Sequence, residues 1–168
     1  MEPFQTNLTK YLTTIRDAKS KGSSHDYLRQ IFIDFAKVNF KVNPTDVDLE
    51  KGLKGTRIRG SIDALYQDIV FEFKRDIRLE GDTGREELER YLRSLGEKQP
   101  YFGILTDALT FQTYQIQNGA LTKIDEINLE KARVDDVFIW FDSFLFSEKQ
   151  LIPTWQDVVK RFGDTSFV

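Results

Sequence analysis

Residues 60–74 constrain this chain more than any other stretch: Gly60-Ser-Ile-Asp63-Ala-Leu-Tyr-Gln-Asp-Ile-Val-Phe-Glu72-Phe-Lys74. The apolar alternation and the central Gln67-Asp68 predict a β-hairpin. Side chains two apart on a strand share a face. Glu72 and Lys74 therefore share one face, and Phe71 and Phe73 the other. A turn closed through Gln67 and Asp68 sets Asp63 directly across from Glu72. The Asp63 face also carries Arg57, Arg59 and Ser61, while Ile58, Ile62 and Tyr66 take the opposite side.

Two carboxylates facing each other across a ladder repel, so the pairing is unfavourable as a purely structural choice. A divalent cation between them reverses the sign of that interaction. Mg²⁺ is commonly held by one or two carboxylates, with water and substrate phosphate completing its shell. An ammonium on the same face can orient a water or offset charge growing on a phosphate. Solvated charges on an ordinary strand face are the competing explanation of the same residues.

Composition narrows the alternatives. The chain has 168 residues, 40% of them hydrophobic and 14 of them phenylalanine, which suits one domain with a substantial core. It has no cysteine, so thiolate metal sites, disulfides and cysteine nucleophiles are excluded, and its single histidine excludes a multi-histidine site. No apolar run reaches membrane-spanning length, and a cytoplasmic location is expected. The formal net charge is −3, which argues against bulk attraction to nucleic acid. The charges are unevenly spread, however. Residues 51–60 hold four cations and no anion, and Arg85, Arg90 and Arg93 follow the hairpin. Two basic clusters bracketing a carboxylate pair fit a phosphate-bearing substrate.

The remaining pattern predicts helices over 3–20, from Ser23 or Ser24 to about Asn39, over 85–96 and over 134–147, with a last short helix from Pro153 to Phe162. Strands are expected at 101–106 and 110–117, followed by a hairpin turn at Asn118-Gly119. Gly81-Asp-Thr-Gly84 reads as a lead-in to the third helix, and Asp46, Asp48 and Glu50 as a solvated acidic loop. The Trp140 and Phe144 stripe reads as core. The order predicts an α/β fold with a central mixed β-sheet flanked by helices.

The Asp63-x8-Glu72-x-Lys74 spacing resembles the PD-(D/E)xK nuclease superfamily. Within it, the chain resembles the N-terminal endonuclease domain of type I-like restriction-modification enzymes, both motor subunits and single-polypeptide enzymes. Ser24-His-Asp-Tyr-Leu-Arg29, the hairpin itself, Glu87-Leu-Glu-Arg-Tyr91-Leu and Gly103-Ile-Leu-Thr-Asp-Ala-Leu-Thr-Phe111 carry that likeness, over roughly residues 20–118. It implies a restriction-endonuclease-like core and one nuclease domain over 1–168, cut from the N-terminal part of a longer polypeptide. It further implies a Mg²⁺-dependent endodeoxyribonuclease, Mn²⁺ being a possible substitute. Asp63, Glu72 and the carbonyl of Phe73 would bind the metal, and Lys74 would orient water or stabilise charge. Arg57, Arg59, Ser61, Arg85 and Tyr91 would contact DNA. Motor, methyltransferase or recognition domains would be its partners.

Two positions depart from the family pattern. Ser24 stands where such domains often place a helix glutamate ligand, beside His25 and Asp26. Glu87 stands where a glutamine often precedes the tyrosine by four residues. A catalytically inactive module of the same fold, used for binding or assembly, is the alternative that the missing helix glutamate and the acidic net charge favour. An RNA-directed nuclease is a third. Tyr91 also suits a core position, and His25 a helix cap.

Overall fold

The structure, a computed structural model, describes residues 2–52, 61–96 and 101–145. Two helices open the chain, α1 (Glu2–Ser20) and α2 (His25–Phe40). Phe4, Leu8, Tyr11 and Ile15 recur at helical spacing and form the buried stripe of α1. Ser24 caps α2, its hydroxyl accepting from the N–H of Tyr27 at 3.3 Å. Lys41, in the left-handed region at φ 56°, ends it. A 3₁₀ turn at Pro44–Asp46 leads into β1 (Val47–Gly52). Then come β2 (Ser61–Tyr66), β3 (Ile69–Phe73), α3 (Ile77–Leu95), β4 (Phe102–Thr106), β5 (Thr110–Gln117), β6 (Ala120–Asn128) and α4 (Val134–Leu145).

The strands form one mixed sheet in chain order, β1 to β6. Only β3 and β4 run parallel. A parallel pair needs a crossover between its strands, and α3 supplies it. The β2–β3 pairs are Ala64–Phe71, Leu65–Val70 and Tyr66–Ile69, the expected register, and the ladder ends one step short of Asp63 and Glu72. Gln67 takes the left-handed conformation at φ 54° to close that two-residue turn. Asn118 and Gly119, at φ 51° and 79°, close the β5–β6 hairpin, as that dipeptide predicts.

Helices cover both faces of the sheet. On one face α1, α2 and α4 enclose the larger core. There the Phe32 ring lies 5.2–5.9 Å from the rings of Phe71, Phe73, Phe111 and Phe141. On the other face Leu88, Tyr91 and Leu92 of α3 pack against Val70, Leu105 and Tyr114. Strand β3, sandwiched between the two, is buried at all five positions. Trp140 is core, with its indole N–H on Asp125 Oδ2 at 2.8 Å. Among the described residues no helix is long and apolar enough to cross a membrane.

Four expectations need correction. The acidic stretch around Asp48 is not a loop throughout, because residues 47–52 form the edge strand β1. Its half-polar pattern suits a strand with one side in water. The partner beyond Asn118-Gly119 is a full nine-residue strand, β6. Helix α3 begins at Ile77, well before 85, because Asp76 caps it by accepting from Arg78 N at 2.9 Å. Ile62 packs with Leu65 and Val70 in the α3-side cluster, apart from Ala64 and Tyr66. Beyond the Ala64–Phe71 pair the Asp63 carboxylate takes the N–H of Phe73, so simple alternation is not enforced there. The predicted helix from Pro153, and residues 146–147 of the fourth, lie outside the described residues.

The early start places Gly81 and Gly84 inside a helix, where glycine costs up to about 1 kcal/mol relative to alanine. Gly84 has a packing reason. A Cβ there would lie 2.5 Å from Leu105 Cδ1 and 3.1 Å from Lys74 Cε, and Leu105 is fully buried. Gly81 has no such crowding, its nearest neighbour being Arg85 Nη1 at 3.7 Å. Gly84→Ala is expected to destabilise by about 1–3 kcal/mol through overpacking. Gly81→Ala is expected to be neutral or stabilising by up to about 1 kcal/mol. Urea unfolding of both variants checks the contrast; equal effects would overturn it.

Candidate functional site

The site forms where β2 and β3 run up against α2 and α3. Strand alternation sends Phe71 and Phe73 into the larger core, so Glu72 must face α3. The Glu72 side chain is almost fully buried, at 5% exposure. Lys74 follows on the same side, and its ammonium lies 2.8 Å from Glu72 Oε1. The same nitrogen donates to Glu87 Oε2, one turn beyond Gly84 on α3. Lys74 thus bridges two carboxylates, one from the strand and one from the helix. Its backbone is fixed as well, Lys74 N donating to Thr106 O at 2.8 Å.

Asp63 joins from β2. Its Oδ2 accepts the Phe73 N–H at 2.7 Å, which ties the carboxylate to the backbone beside Glu72. Arg29 of α2, itself buried, donates to the Asp63 carbonyl at 2.9 Å and lies 3.8 Å from Oδ1. Arg29 also reaches Asp26 Oδ1 at 3.1 Å, and His25 Nε2 lies 3.3 Å from the same oxygen. Arg29 and Glu87 were not among the residues assigned a site role from the sequence. Each lies in a motif singled out there, but a strand-face argument has no means of bringing a helix residue to the cluster.

Burial and charge set the protonation states. Burial, reinforced by the negative charge of Asp63, pushes the Glu72 carboxyl up to about 8, and Lys74 only partly offsets it. Burial also raises Asp63, against the Phe73 N–H and the charges of His25, Arg29 and Lys74. Burial opposes the charged form of Lys74, yet Glu72 and Glu87 outweigh it and hold the ammonium well above its ordinary value. Glu87, against its own desolvation, is lowered by Lys74. Lys74 is therefore a permanent cation and a poor proton acceptor; what it can supply is charge and hydrogen-bond donors. Glu72 Oε2 is buried and receives no hydrogen bond, an arrangement that costs free energy when the carboxyl is ionised; in its protonated form Glu72 bonds to the Glu87 carboxylate, which raises Glu72 and lowers Glu87.

Arg57 and Arg59 lie outside the described residues. Ser61 opens β2, paired with Gly52. Arg85 is drawn into an ion pair with Asp82, and Arg93 with Glu89, so the second basic cluster is largely neutralised by its own helix. Such exposed pairs are worth about 0–1 kcal/mol and can exchange partners. Tyr91 is buried at 3% exposure in the α3-side core, with the Arg90 guanidinium 5.3 Å from its ring centre. Its phenol is raised by burial and by the charge of Glu72, which puts it beside the cluster rather than on an open surface. Nor do the three principal residues stand free in solvent: Asp63, Glu72 and Lys74 side chains are 15%, 5% and 13% exposed.

Among the described residues no group of three or more histidine, aspartate or glutamate side chains is arranged to hold a metal ion. The donor set is the Asp63–Glu72 pair, both hard oxygen ligands of the kind Mg²⁺ takes. The orphaned Glu72 Oε2 and the raised Glu72 and Asp63 carboxyls fit such an ion, which would satisfy the oxygen and favour the ionised forms. Comparisons with protein-family models, with curated proteins and with solved structures gave no match to this chain.

The Glu72 shift has a thermodynamic consequence. Between its ordinary value near 4.5 and its folded value near 8 the native state holds a proton that the unfolded chain has lost. Stability therefore falls as pH rises through that window. Relative to Glu72→Gln, the unmodified protein is expected to lose stability steadily from about pH 4.5 to about pH 8. Urea unfolding across that range, without divalent ions, checks it; parallel curves would show that Glu72 ionises freely.

Proposed function

We propose that this chain is a metal-dependent DNA endonuclease domain with a restriction-endonuclease-like core, acting in a restriction-modification or related defence system in the cytoplasm. The observation that carries the reading is the buried Glu72, with an unsatisfied oxygen, the Asp63 carboxylate tied to the adjacent Phe73 N–H and a charged lysine 2.8 Å away. Asp63, Glu72 and the carbonyl of Phe73 would hold Mg²⁺ or Mn²⁺. When bound, that ion polarises a phosphoryl oxygen and acidifies a water. Lys74 supplies a fixed cation for charge that grows on the phosphate, in a nearly dry setting where such a charge acts strongly. Arg29 holds Asp63 in place through its backbone carbonyl. Sequence recognition and translocation would come from motor, methyltransferase or recognition domains elsewhere in the enzyme, because phosphate contacts position DNA without reading it. Arg57, Arg59, Ser61 and Arg85 are the proposed backbone contacts, with Tyr91 acting from beneath the site.

A second reading, a non-catalytic module of the same fold, is favoured by one observation. Two of the three Lys74 donors are already engaged by Glu72 and Glu87, which leaves less of its charge for a phosphate.

Cleavage of plasmid DNA at high protein concentration separates the two. Asp63→Asn, Glu72→Gln and Lys74→Gln are each expected to lower the Mg²⁺-dependent rate by about 100-fold or more, and chelator should abolish it. Glu72→Gln should keep or raise thermal stability, since it removes a carboxylate that burial disfavours. Lys74→Gln should lower it, because two clustered carboxylates then lose their counter-charge. Full activity in Glu72→Gln, or cleavage undiminished by chelator, would overturn the enzymatic reading.

A further inference from the structure

We propose that Glu87 is a displaceable clamp on Lys74, a positioning residue that holds the ammonium in place and yields it to an arriving phosphate oxygen. The inference rests on the phosphodiester reading of the site. Lys74 has two carboxylate partners of different character. Glu72 sits on the central strand with 5% of its side chain exposed, whereas Glu87 is on a helix with 30% exposed. Of the two, only Glu87 can swing into solvent and recover its hydration. The route of the lysine is built in: Gly84, one turn before Glu87, leaves the space that Lys74 Cε occupies, and a Cβ there would stand 3.1 Å from it. The aliphatic stem is thus laid along α3, and the ammonium is delivered to Glu87 whether or not substrate is present.

An ammonium with both near sites taken by carboxylates cannot bind a third anion at full strength. Two of its three donors and much of its charge are engaged, so a phosphate oxygen that draws the lysine toward itself competes with them, and the partner with more solvent access yields at the lower cost. Glu87 therefore gives up affinity for substrate in return for a lysine that stays ordered and charged in the free protein. A glutamine at this position would keep the length and an acceptor oxygen without the negative charge. It would support Lys74 while competing far less with phosphate.

The test uses the full 168-residue chain and inorganic phosphate as probe, without divalent ions, measuring affinity by calorimetry and, where Lys74 is present, following its ammonium ¹H–¹⁵N signal. Glu87→Gln and Glu87→Ala are each expected to bind phosphate roughly five- to tenfold more tightly than the unmodified protein, about the equivalent of one partly exposed ion pair. Lys74→Gln should remove the gain in either background. Glu86→Gln, an exposed carboxylate on the same helix, is the control for net charge. Unchanged or weaker phosphate affinity in both Glu87 variants would overturn the clamp, as would an equal gain in Glu86→Gln. Because no cleavage is needed, the outcomes separate. Tightened phosphate binding with no DNA cleavage by any variant retains the clamp and removes the endonuclease reading. DNA cleavage with unaltered phosphate affinity does the reverse.

Discussion

The Lys74 ammonium is what allows a carboxylate to occupy the most buried strand of the sheet. Strand β3 is covered on both faces, and an ionised glutamate there without a partner would cost far more than one strand's packing returns. The Glu72–Lys74 contact at 2.8 Å reduces that cost, and Glu87 then balances the lysine. Two carboxyls and one ammonium thus form one unit across the contact between β3 and α3. Gly84 lets the helix come close enough to Leu105 and Lys74 for the unit to assemble. Beside it, Leu88, Tyr91 and Leu92 supply the apolar contact that holds the helix in place.

The opposite side of the cluster is held by backbone rather than by packing. Asp63 is fixed through the Phe73 N–H, and its own carbonyl through Arg29. The chain leaving Lys74 is pinned in turn by α1, where Lys19 donates to Arg75 O at 2.8 Å and lies 2.9 Å from Asp107 Oδ2. The β4–β5 connection is locked internally. Asp107 Oδ1 accepts from Thr110 N, Thr106 Oγ1 accepts from Ala108 N, and Tyr11 donates to the carbonyl of Ala108. The Leu-Thr-Asp-Ala-Leu-Thr run is therefore a tightly bonded turn between β4 and β5, anchored on α1 through Tyr11. Side chains held this way keep their geometry without a ligand, which a site that positions a reacting group requires.

Much of the architecture was legible because period and turn chemistry agreed. The stripe of Phe4, Leu8 and Ile15, the Ser24 cap, the Gln67-Asp68 register and the Asn118-Gly119 hairpin each follow from local rules, and each stands in the structure. The failures have physical causes. Strand β1 was missed because an edge strand need not alternate strongly. The start of α3 was misplaced because Gly81 and Gly84 read as breakers, while the space demanded by Lys74 and Leu105 is a tertiary fact. The second basic cluster is less open than expected because Asp82 and Glu89, one turn from Arg85 and Arg93, neutralise these locally. The pairing of Glu72 with Lys74 was visible as strand alternation. The parts played by Glu87 and Arg29 were not, since each comes from a helix that no strand pattern places.

The charge cluster is a poor device for stability alone. Well-packed apolar side chains in the places of Glu72, Lys74 and Glu87 would serve the sheet as well or better, because buried ion pairs rarely return the free energy spent on desolvating them. The neighbouring residues make that cost larger rather than smaller. Asp63 adds a second carboxylate whose charge pushes Glu72 further up, and Glu72 Oε2 is left without a partner. Gly84 adds a helix penalty of its own. Local rules are thus broken at several adjacent positions, all converging on one lysine, while the surrounding core is ordinary. Concentrated violations of this kind are what a site selected for binding or chemistry leaves in a fold. A buried ammonium beside two buried carboxyls is expensive for this domain to hold, and the proposed divalent ion and phosphodiester are ligands whose charges would complement them.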